Sequence, residues 1–214
     1  MISSYGPHRV RHGDVNDGID DLMGADKADI LYSDPPWGEG NIKYWATMNR
    51  KMTGEINLPA DLDTFLTSIF GIAEKYCQRY LLIEYGVRWR HMIQERGRNA
   101  GFTARGIVPI IYSSENLPLD LHIFTKGSQE LPQGYAEAIA GTKGYLTNQN
   151  AIGPLAAIVG AGGIILDPCC GMGYTAQAGI DYGLSFRGNE LNRARLAKTV
   201  ARFAKGPTKI RARR

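Results

Sequence analysis

Residues 34–37, Asp-Pro-Pro-Trp, place a carboxylate, two rigid rings and an indole directly after an apolar run, Ala28 to Ser33. Neither proline can donate to a sheet ladder or continue a strand, so we predict that the strand ends at Asp34. In an open α/β sheet, ligands bind at the carboxyl ends of the strands. The tetrapeptide therefore predicts a site with a hydrogen-bond acceptor and an aromatic face, although a plain Pro-Pro turn capped by Asp34 would leave the same pattern.

A second apolar run also ends in an acid, Asp167, and a glycine-rich loop follows it. Gly171 and Gly173 in that loop let the backbone approach a ligand closely, and the helix that they open has free N–H groups. Glu190 ends the next predicted strand, where it can bind both hydroxyls of a ribose. The pattern predicts a nucleoside cofactor without separating NAD from S-adenosylmethionine, and a glycine turn with a capping glutamate and no cofactor is the simpler alternative.

Strand and helix patterns alternate along the chain, which predicts a mostly parallel, doubly wound sheet with an antiparallel hairpin at one edge. The seven predicted strands are 9–14, 28–34, 80–85, 106–113, 119–126, 163–167 and 184–190, and the first of them also ends in an acid, Asp14. The predicted helices are 16–23, 61–72, 89–98, 152–159, 175–182 and 192–203, with Asn16 capping the first and Asn192 the last.

Two stretches show no clean period and are predicted to be irregular, 38–60 and 127–150. Irregular segments of this length are often functional, so we expect both to contact a substrate. With 214 residues and 43% hydrophobic content, the chain has the size of one α/β domain, 1–214.

The charge is unevenly distributed. The net charge is only +4, but residues 193–214 include nine arginines and lysines and no acid. Such a run, with its tail at 205–214, is typical of a solvated surface and also of a phosphate contact. Three cysteines, two of them adjacent, do not form a disulfide framework, and the start lacks a signal-peptide pattern, so we expect a soluble, cytoplasmic protein without a membrane partner.

Taken together, the motifs resemble a known family. Asp34-Pro35-Pro36-Trp37 lies between His12-Gly13-Asp14 and two later motifs, Asp167-Pro168-x-x-Gly171-x-Gly173-x-Thr175 and Gly188-x-Glu190-x-Asn192. Their order is similar to that of the amino-directed (N6-adenine or N4-cytosine) DNA methyltransferases of the permuted, β-type class, in which the catalytic tetrapeptide precedes the cofactor loop. The resemblance covers nearly the whole chain and implies a Rossmann-like methyltransferase fold, S-adenosylmethionine as cofactor and DNA as partner, with a homodimer as one arrangement.

The resemblance also implies roles for individual residues. Asp34 and the Pro35 carbonyl would each accept one hydrogen of an exocyclic amine, while Trp37 would stack on the flipped base. Asp14 would approach the cofactor's adenine amino group, Glu190 would hold the ribose, and Asp167 with the glycine loop would lie along the methionine part. The implied catalytic residues are Asp34, Pro35, Pro36 and Trp37. The implied cofactor-binding residues are Asp14, Asp34, Asp167, Pro168, Cys169, Gly171, Gly173, Thr175, Glu190 and Asn192.

Several alternatives stay open at this stage. Aspartate in the tetrapeptide favours N6 of adenine, whereas serine is more frequent in the cytosine-N4 subgroup; RNA adenosine methyltransferases also carry Asp-Pro-Pro-Trp. A catalytically silent subunit of the same fold and an NAD-dependent oxidoreductase are the other classes. The family commonly has a Lys-Pro pair before the cofactor loop, but residues 146–150 here are Leu-Thr-Asn-Gln-Asn, so the resemblance assigns no residue to the cofactor's carboxylate. The four histidines lack metal-ligand spacing, and we predict no metal site.

Overall fold

A computed structural model of the chain describes residues 1–54, 61–112 and 116–208. The strands in these residues are β1 (Ile2–Tyr5), β2 (His8–His12), β3 (Ala28–Ser33), β4 (Cys77–Gly86), β5 (Thr103–Tyr112), β6 (Leu117–Thr125), β7 (Ile164–Asp167) and β8 (Ser185–Glu190). The helices are α1 (Asp20–Met23), α2 (Gly38–Thr53), α3 (Leu62–Tyr76), α4 (Arg90–Asn99), α5 (Tyr135–Ile139), α6 (Tyr145–Val159), α7 (Tyr174–Asp181) and α8 (Arg193–Lys205), with 3-10 turns at Val15–Asp17 and Val87–Trp89.

The strands form one sheet in the order β1-β2-β8-β7-β3-β4-β6-β5. The pairings from β2 through β8, β7 and β3 to β4 are parallel, and the β5–β6 hairpin adds antiparallel to β4. This is the mostly parallel sheet with an edge hairpin that the sequence predicts. The sheet gains one strand beyond the seven predicted, because Ile2–Tyr5 pairs antiparallel with β2 at the other edge.

Helices cover both faces of the sheet, so the central strands are buried on both sides. One face carries a core built with α5, α6, α7 and α8, and the other carries a core built with α1, α3 and α4. None of the helices in the described part of the chain is long and apolar enough to cross a membrane.

The direction of the chain reverses between β3 and β7. From β3 the chain continues to β4 on one side, whereas from β7 it continues to β8 on the other. The loops that follow these two neighbouring strands therefore diverge and leave a crevice at the carboxyl end of the sheet, where open α/β sheets bind ligands. Asp34 directly follows β3, and Asp167 is the last residue of β7.

The prediction that 38–60 is irregular is wrong for the part that is described. Residues Gly38–Thr53 form helix α2, which ends at Gly54 in the left-handed conformation (φ 76°). The residues that face the crevice, Ile42, Trp45, Ala46 and Asn49, follow helical spacing, but the polar composition and two early glycines conceal it. Residues 55–60 lie outside the described part of the chain.

The prediction that 127–150 is irregular is also wrong in part. It contains the short helix α5, and α6 begins at Tyr145 instead of residue 152. The first turn of α6 has buried polar residues, with Thr147 hydrogen-bonded to Thr142 (3.0 Å) and Asn148 to Thr175 (3.4 Å), so hydrophobicity alone does not reveal it.

The predicted capping role of Asn16 is wrong as well, because a different side chain caps this turn. The Asp14 carboxylate caps the 3-10 turn by accepting the backbone N–H of Asn16, and α1 begins only at Asp20.

Candidate active site

A cleft with a volume of about 150 Å³ lies at the carboxyl end of the sheet. It brings together nine residues that the sequence and the resemblance single out, from four separate stretches of chain. These residues are Asp14, Asp34, Pro35, Pro36, Trp37, Pro168, Cys169, Glu190 and Asn192. The ends of β3 and β7, predicted to share one cleft, do so through Asp34 and through Pro168 and Cys169, but Asp167 itself does not line it.

Tyr85 and Trp89 hold the tetrapeptide in position. The Tyr85 hydroxyl donates to the Pro36 carbonyl (3.2 Å) and accepts the Gly38 N–H (3.1 Å). Trp89 fills the space beside Gly38 and Gly86, where a Cβ atom on either glycine would clash with its ring. The Pro35 carbonyl accepts no hydrogen bond from residues 1–54, 61–112 or 116–208.

Asp34 lines the cleft and is exposed there. The Trp37 indole N–H donates to Asp34 Oδ1 (3.2 Å), which fixes the carboxylate direction. Although Asp34 is exposed at the cleft, the surrounding protein displaces part of its water, and this desolvation raises the pKa of Asp34 to about 6, even though the Trp37 hydrogen bond and the charge of Arg195 act to lower it. Asp34 is therefore mostly ionised at pH 7, with an affinity for protons or for another cation that is higher than usual.

We expect the methylation of a DNA amine that the resemblance implies to depend on pH through Asp34. A protonated Asp34 cannot stabilise a growing positive charge, so kcat/KM should be constant above pH 7 and fall about tenfold per pH unit below pH 6. The measurement is a pH profile with DNA substrate, with thermal unfolding at each pH as the control for folding. A profile that is flat to pH 4, or that declines as the pH rises from 6 to 8, would contradict this assignment.

The opposite wall of the cleft contains Glu190 and Asp14. Glu190 Oε2 accepts the Gly171 N–H and Oε1 accepts the Asn192 N–H, both at 2.8 Å. These bonds join the glycine loop to the start of α8, while each oxygen retains a further lone pair. Asp14 Oδ1 accepts from the Asn16 backbone and side-chain amides at 2.9 Å.

Four residues of the predicted cofactor set do not line the cleft: Asp167, Gly171, Gly173 and Thr175. Asp167 is buried behind Cys169, whose N–H it accepts at 3.0 Å, and burial raises the pKa of Asp167 to about 7. The backbone at Gly173 packs so closely on Thr199 that a Cβ would lie 2.7 Å from its hydroxyl. Contact of these four with a cofactor stays a prediction.

Several lining residues are ones that sequence reasoning missed. Tyr112, at the end of β5, places its ring edge-on to Trp37 with 4.7 Å between centroids. Trp45 of α2 contacts the guanidinium of Arg195 at 4.2 Å. The Asn16 side-chain Oδ1 is buried and has no hydrogen-bond partner among the described residues. The signal for the α2 residues was present in their helical spacing; nothing local in the sequence indicates Tyr112.

Glu84 is a buried acid beneath the site that the sequence analysis passed over as part of an apolar strand. The Tyr32 hydroxyl donates to Glu84 Oε1, and both side chains are buried. Burial, and then the charge of Asp34, raise the pKa of Glu84 well above its usual value. The folded protein therefore retains a proton here that the unfolded chain releases above its ordinary glutamate pKa.

Because the folded protein retains this proton on Glu84, we expect Glu84→Gln to change how stability depends on pH. Between the ordinary glutamate pKa and the raised one, the folded state binds more protons, so this group makes the free energy of unfolding fall as pH rises. Glutamine retains an acceptor for Tyr32 and removes the dependence. In urea unfolding at several pH values, the free energy of unfolding of the variant relative to that of the wild type should rise from about pH 4 upward. The rise should be at most about 1.4 kcal/mol per pH unit. The exposed change Glu74→Gln is the control, and a variant that is less stable than wild type at pH 8 would contradict the prediction.

Comparison with known proteins shows the fold. No family model and no curated protein sequence matches this chain. The solved structure of M1.HpyAVI has a TM-score of 0.64 at 15% identity and covers 91% of this chain and 98% of its own. TTHA0409 of Thermus thermophilus, described as a DNA modification methylase, has a TM-score of 0.62 at 17% identity, covering 95% of this chain and 97% of its own.

A third structure, the cytosine-N4-specific PvuII DNA methyltransferase, has a TM-score of 0.58 at 10% identity, covering 91% of this chain and 85% of its own. Both M1.HpyAVI and TTHA0409 are also known as complexes with S-adenosylmethionine. At sequence identities this low, structural similarity is evidence for the fold alone. It confirms the fold that the sequence predicts. The chain has the Rossmann-like fold of S-adenosylmethionine-dependent DNA methyltransferases.

Proposed function

We propose that this protein transfers a methyl group from S-adenosylmethionine to the exocyclic N6 amine of adenine in DNA. The observation that carries the proposal is the position of the Asp34 carboxylate. It opens into a cleft between an aromatic pair, Trp37 and Tyr112, and a wall that presents Glu190 and Asp14. An amine acceptor and acceptors for a nucleoside thus face the same small volume.

The residues of the cleft fit S-adenosylmethionine. The buried, unpartnered Oδ1 of Asn16 offers an acceptor for an adenine amino group beside Asp14. The remaining lone pairs of Glu190 suit a ribose diol, and Asp34 offers negative charge to a sulfonium. When bound, the cofactor supplies an electrophilic methyl group on positively charged sulfur.

The tetrapeptide can activate a poor nucleophile. The lone pair of an adenine amine is delocalised into the ring, which makes the nitrogen weakly reactive. Asp34 and the Pro35 carbonyl would each accept one amine hydrogen, which favours a pyramidal nitrogen and stabilises the positive charge that grows on it. Tyr85 and Trp89 hold the loop in place, so little reorganisation is needed.

The aromatic pair can receive a base taken out of a duplex. The amine is engaged in pairing inside double-stranded DNA, so the base must be flipped or come from a single strand. Trp37 would provide the stacking face and Tyr112, 36% exposed, would line the side of the slot. The basic residues of α2 and α8 would contact the phosphates; they are Lys43, Arg50, Lys51, Arg193, Lys198, Arg202 and Lys205.

Cytosine-N4 methylation is the second candidate, and the PvuII enzyme favours it because it has this fold and that specificity. The same cleft geometry serves either amine, and the aspartate at position 34 is our reason for preferring adenine. We further propose that 1–214 acts as one domain and that the enzyme works in the cytoplasm, with a homodimer as an arrangement to be tested by mass in solution.

The test is incubation of the purified protein with S-adenosylmethionine and unmethylated DNA, single- and double-stranded, followed by digestion to nucleosides and mass spectrometry. We expect N6-methyldeoxyadenosine. N4-methyldeoxycytidine would change the base and retain the reaction. A product from RNA only, or cofactor binding without any product, would overturn DNA methylation in favour of an RNA substrate or a silent subunit.

A further inference from the structure

The cleft has an unbalanced set of charges. Its charged lining residues in the described part of the chain are three acids, Asp14, Asp34 and Glu190, and one cation, Arg195. S-adenosylmethionine, the cofactor on which this inference rests through the proposed function, carries two positive groups and one carboxylate. The acids suit the positive groups, while a buried carboxylate needs a cation or several donors to replace its water.

Arg195 forms no close ion pair within residues 1–54, 61–112 and 116–208, although its charge acts on Asp34 and Glu190 across the cleft. Its Nε is buried and has no hydrogen-bond partner among these residues. The side chain is nevertheless held in place, because the guanidinium lies over Trp45 at 4.2 Å and the Arg195 backbone N–H is capped by Asn192 at 2.9 Å. A guanidinium that is fixed, partly desolvated and without a close ion pair is suited to bind an anion in a forked geometry.

Arg195 lies beside the glycine loop, which the resemblance places along the methionine part of the cofactor. This position indicates which anion the guanidinium binds. A Cβ atom at Gly171 would lie 2.6 Å from Arg195 Nη2, so the guanidinium lies directly on the backbone of this loop. The loop joins β7 to α7, beside the strand end that carries Asp167. Residues 146–150, on α6, bring no cation and do not line the cleft.

We propose that Arg195 binds the carboxylate of the methionine moiety of S-adenosylmethionine, and that Trp45 positions the guanidinium for it. The pairing neutralises the negative group of the ligand with the cation that the described lining residues provide. Arg195 thus acts in binding and does not touch the transferred methyl group.

The experiment is isothermal titration calorimetry of wild-type protein and Arg195→Met with two ligands. S-adenosylmethionine carries the carboxylate, and decarboxylated S-adenosylmethionine retains the adenosine, the sulfonium and the amine. We expect the variant to bind the first ligand on the order of 10- to 100-fold more weakly and the second within about threefold of wild type. Arg195→Lys should recover part of the loss, and Arg98→Met, an exposed change on α4 outside the cleft, should change neither affinity.

Three results with the Arg195→Met variant would overturn the inference. Unchanged affinity for S-adenosylmethionine in Arg195→Met would remove the carboxylate contact. Equal weakening for both ligands would place Arg195 on the adenosine or in a structural role. Weaker DNA binding with unchanged cofactor binding would assign the guanidinium to a phosphate. Failure of the wild type to bind S-adenosylmethionine would overturn the proposed function as well as the role of Arg195. Because the other three results leave the proposed function intact, the two proposals can be tested separately.

Discussion

Asp34→Ala should lower methyl transfer by about 10²–10³-fold or more, while the affinity for S-adenosylmethionine changes by only a few fold. The reason is that Asp34 would stabilise charge that develops on the amine during transfer, after both substrates are bound. The measurement is single-turnover transfer of labelled methyl to DNA, with the cofactor Kd determined on the same preparation.

Two further variants make the Asp34 experiment specific. Asp34→Asn retains the shape and the Trp37 hydrogen bond without the charge, so we expect it to lose nearly as much rate. Asp17→Asn changes an exposed acid that does not line the cleft and should leave transfer unchanged. Parallel loss of cofactor binding and transfer in Asp34→Ala would show that this carboxylate mainly binds the cofactor.

Glu190→Ala should have the opposite profile and weaken cofactor binding on the order of 100-fold, because hydrogen bonds to a charged acceptor are strong. The variant also removes the acceptor of the Gly171 and Asn192 N–H groups, so the free energy of unfolding should fall by about 1–3 kcal/mol. Calorimetric titration and urea unfolding measure the two effects.

The ligand can be varied to locate the Glu190 effect. 5′-Methylthioadenosine has the ribose but no amino-acid part, so its affinity should fall in Glu190→Ala by a factor similar to that for S-adenosylmethionine. Glu190→Gln retains one carbonyl acceptor and should have a smaller effect on both. A Glu190→Ala variant that binds both ligands normally but transfers slowly would contradict the ribose assignment.

The parts of the site that could be predicted from the sequence are those where backbone chemistry leaves little choice. Two prolines after Ser33 and Asp34 must end β3, and a glycine-rich loop after Asp167 must turn into α7. Because parallel strands end at the same edge, the ends of β3, β7 and β8 had to lie together, and Asp34 and Glu190 share the cleft, whereas Asp167 is buried behind Cys169.

The parts that could not be predicted depend on packing between distant segments. Tyr112 reaches the cleft because the β5–β6 hairpin adds to β4, a pairing that no local pattern specifies. Arg195 appeared to be one of many charges in a basic run until the fold placed it against Gly171. The residues of α2 have helical spacing, but their polar, glycine-containing composition favoured an irregular segment. Glu84 was interpreted only as part of a buried strand, because apolar residues surround it in the sequence.

A crystal structure of the protein with bound S-adenosylmethionine would test the proposed site most directly. We expect the ribose hydroxyls on Glu190, the adenine beside Asp14 and Asn16, and the sulfonium methyl directed toward the space between Asp34 and the Pro35 carbonyl. A cofactor bound outside this cleft, or one whose methyl group points away from Asp34, would show that the tetrapeptide and the glycine loop do not form one methyl-transfer site.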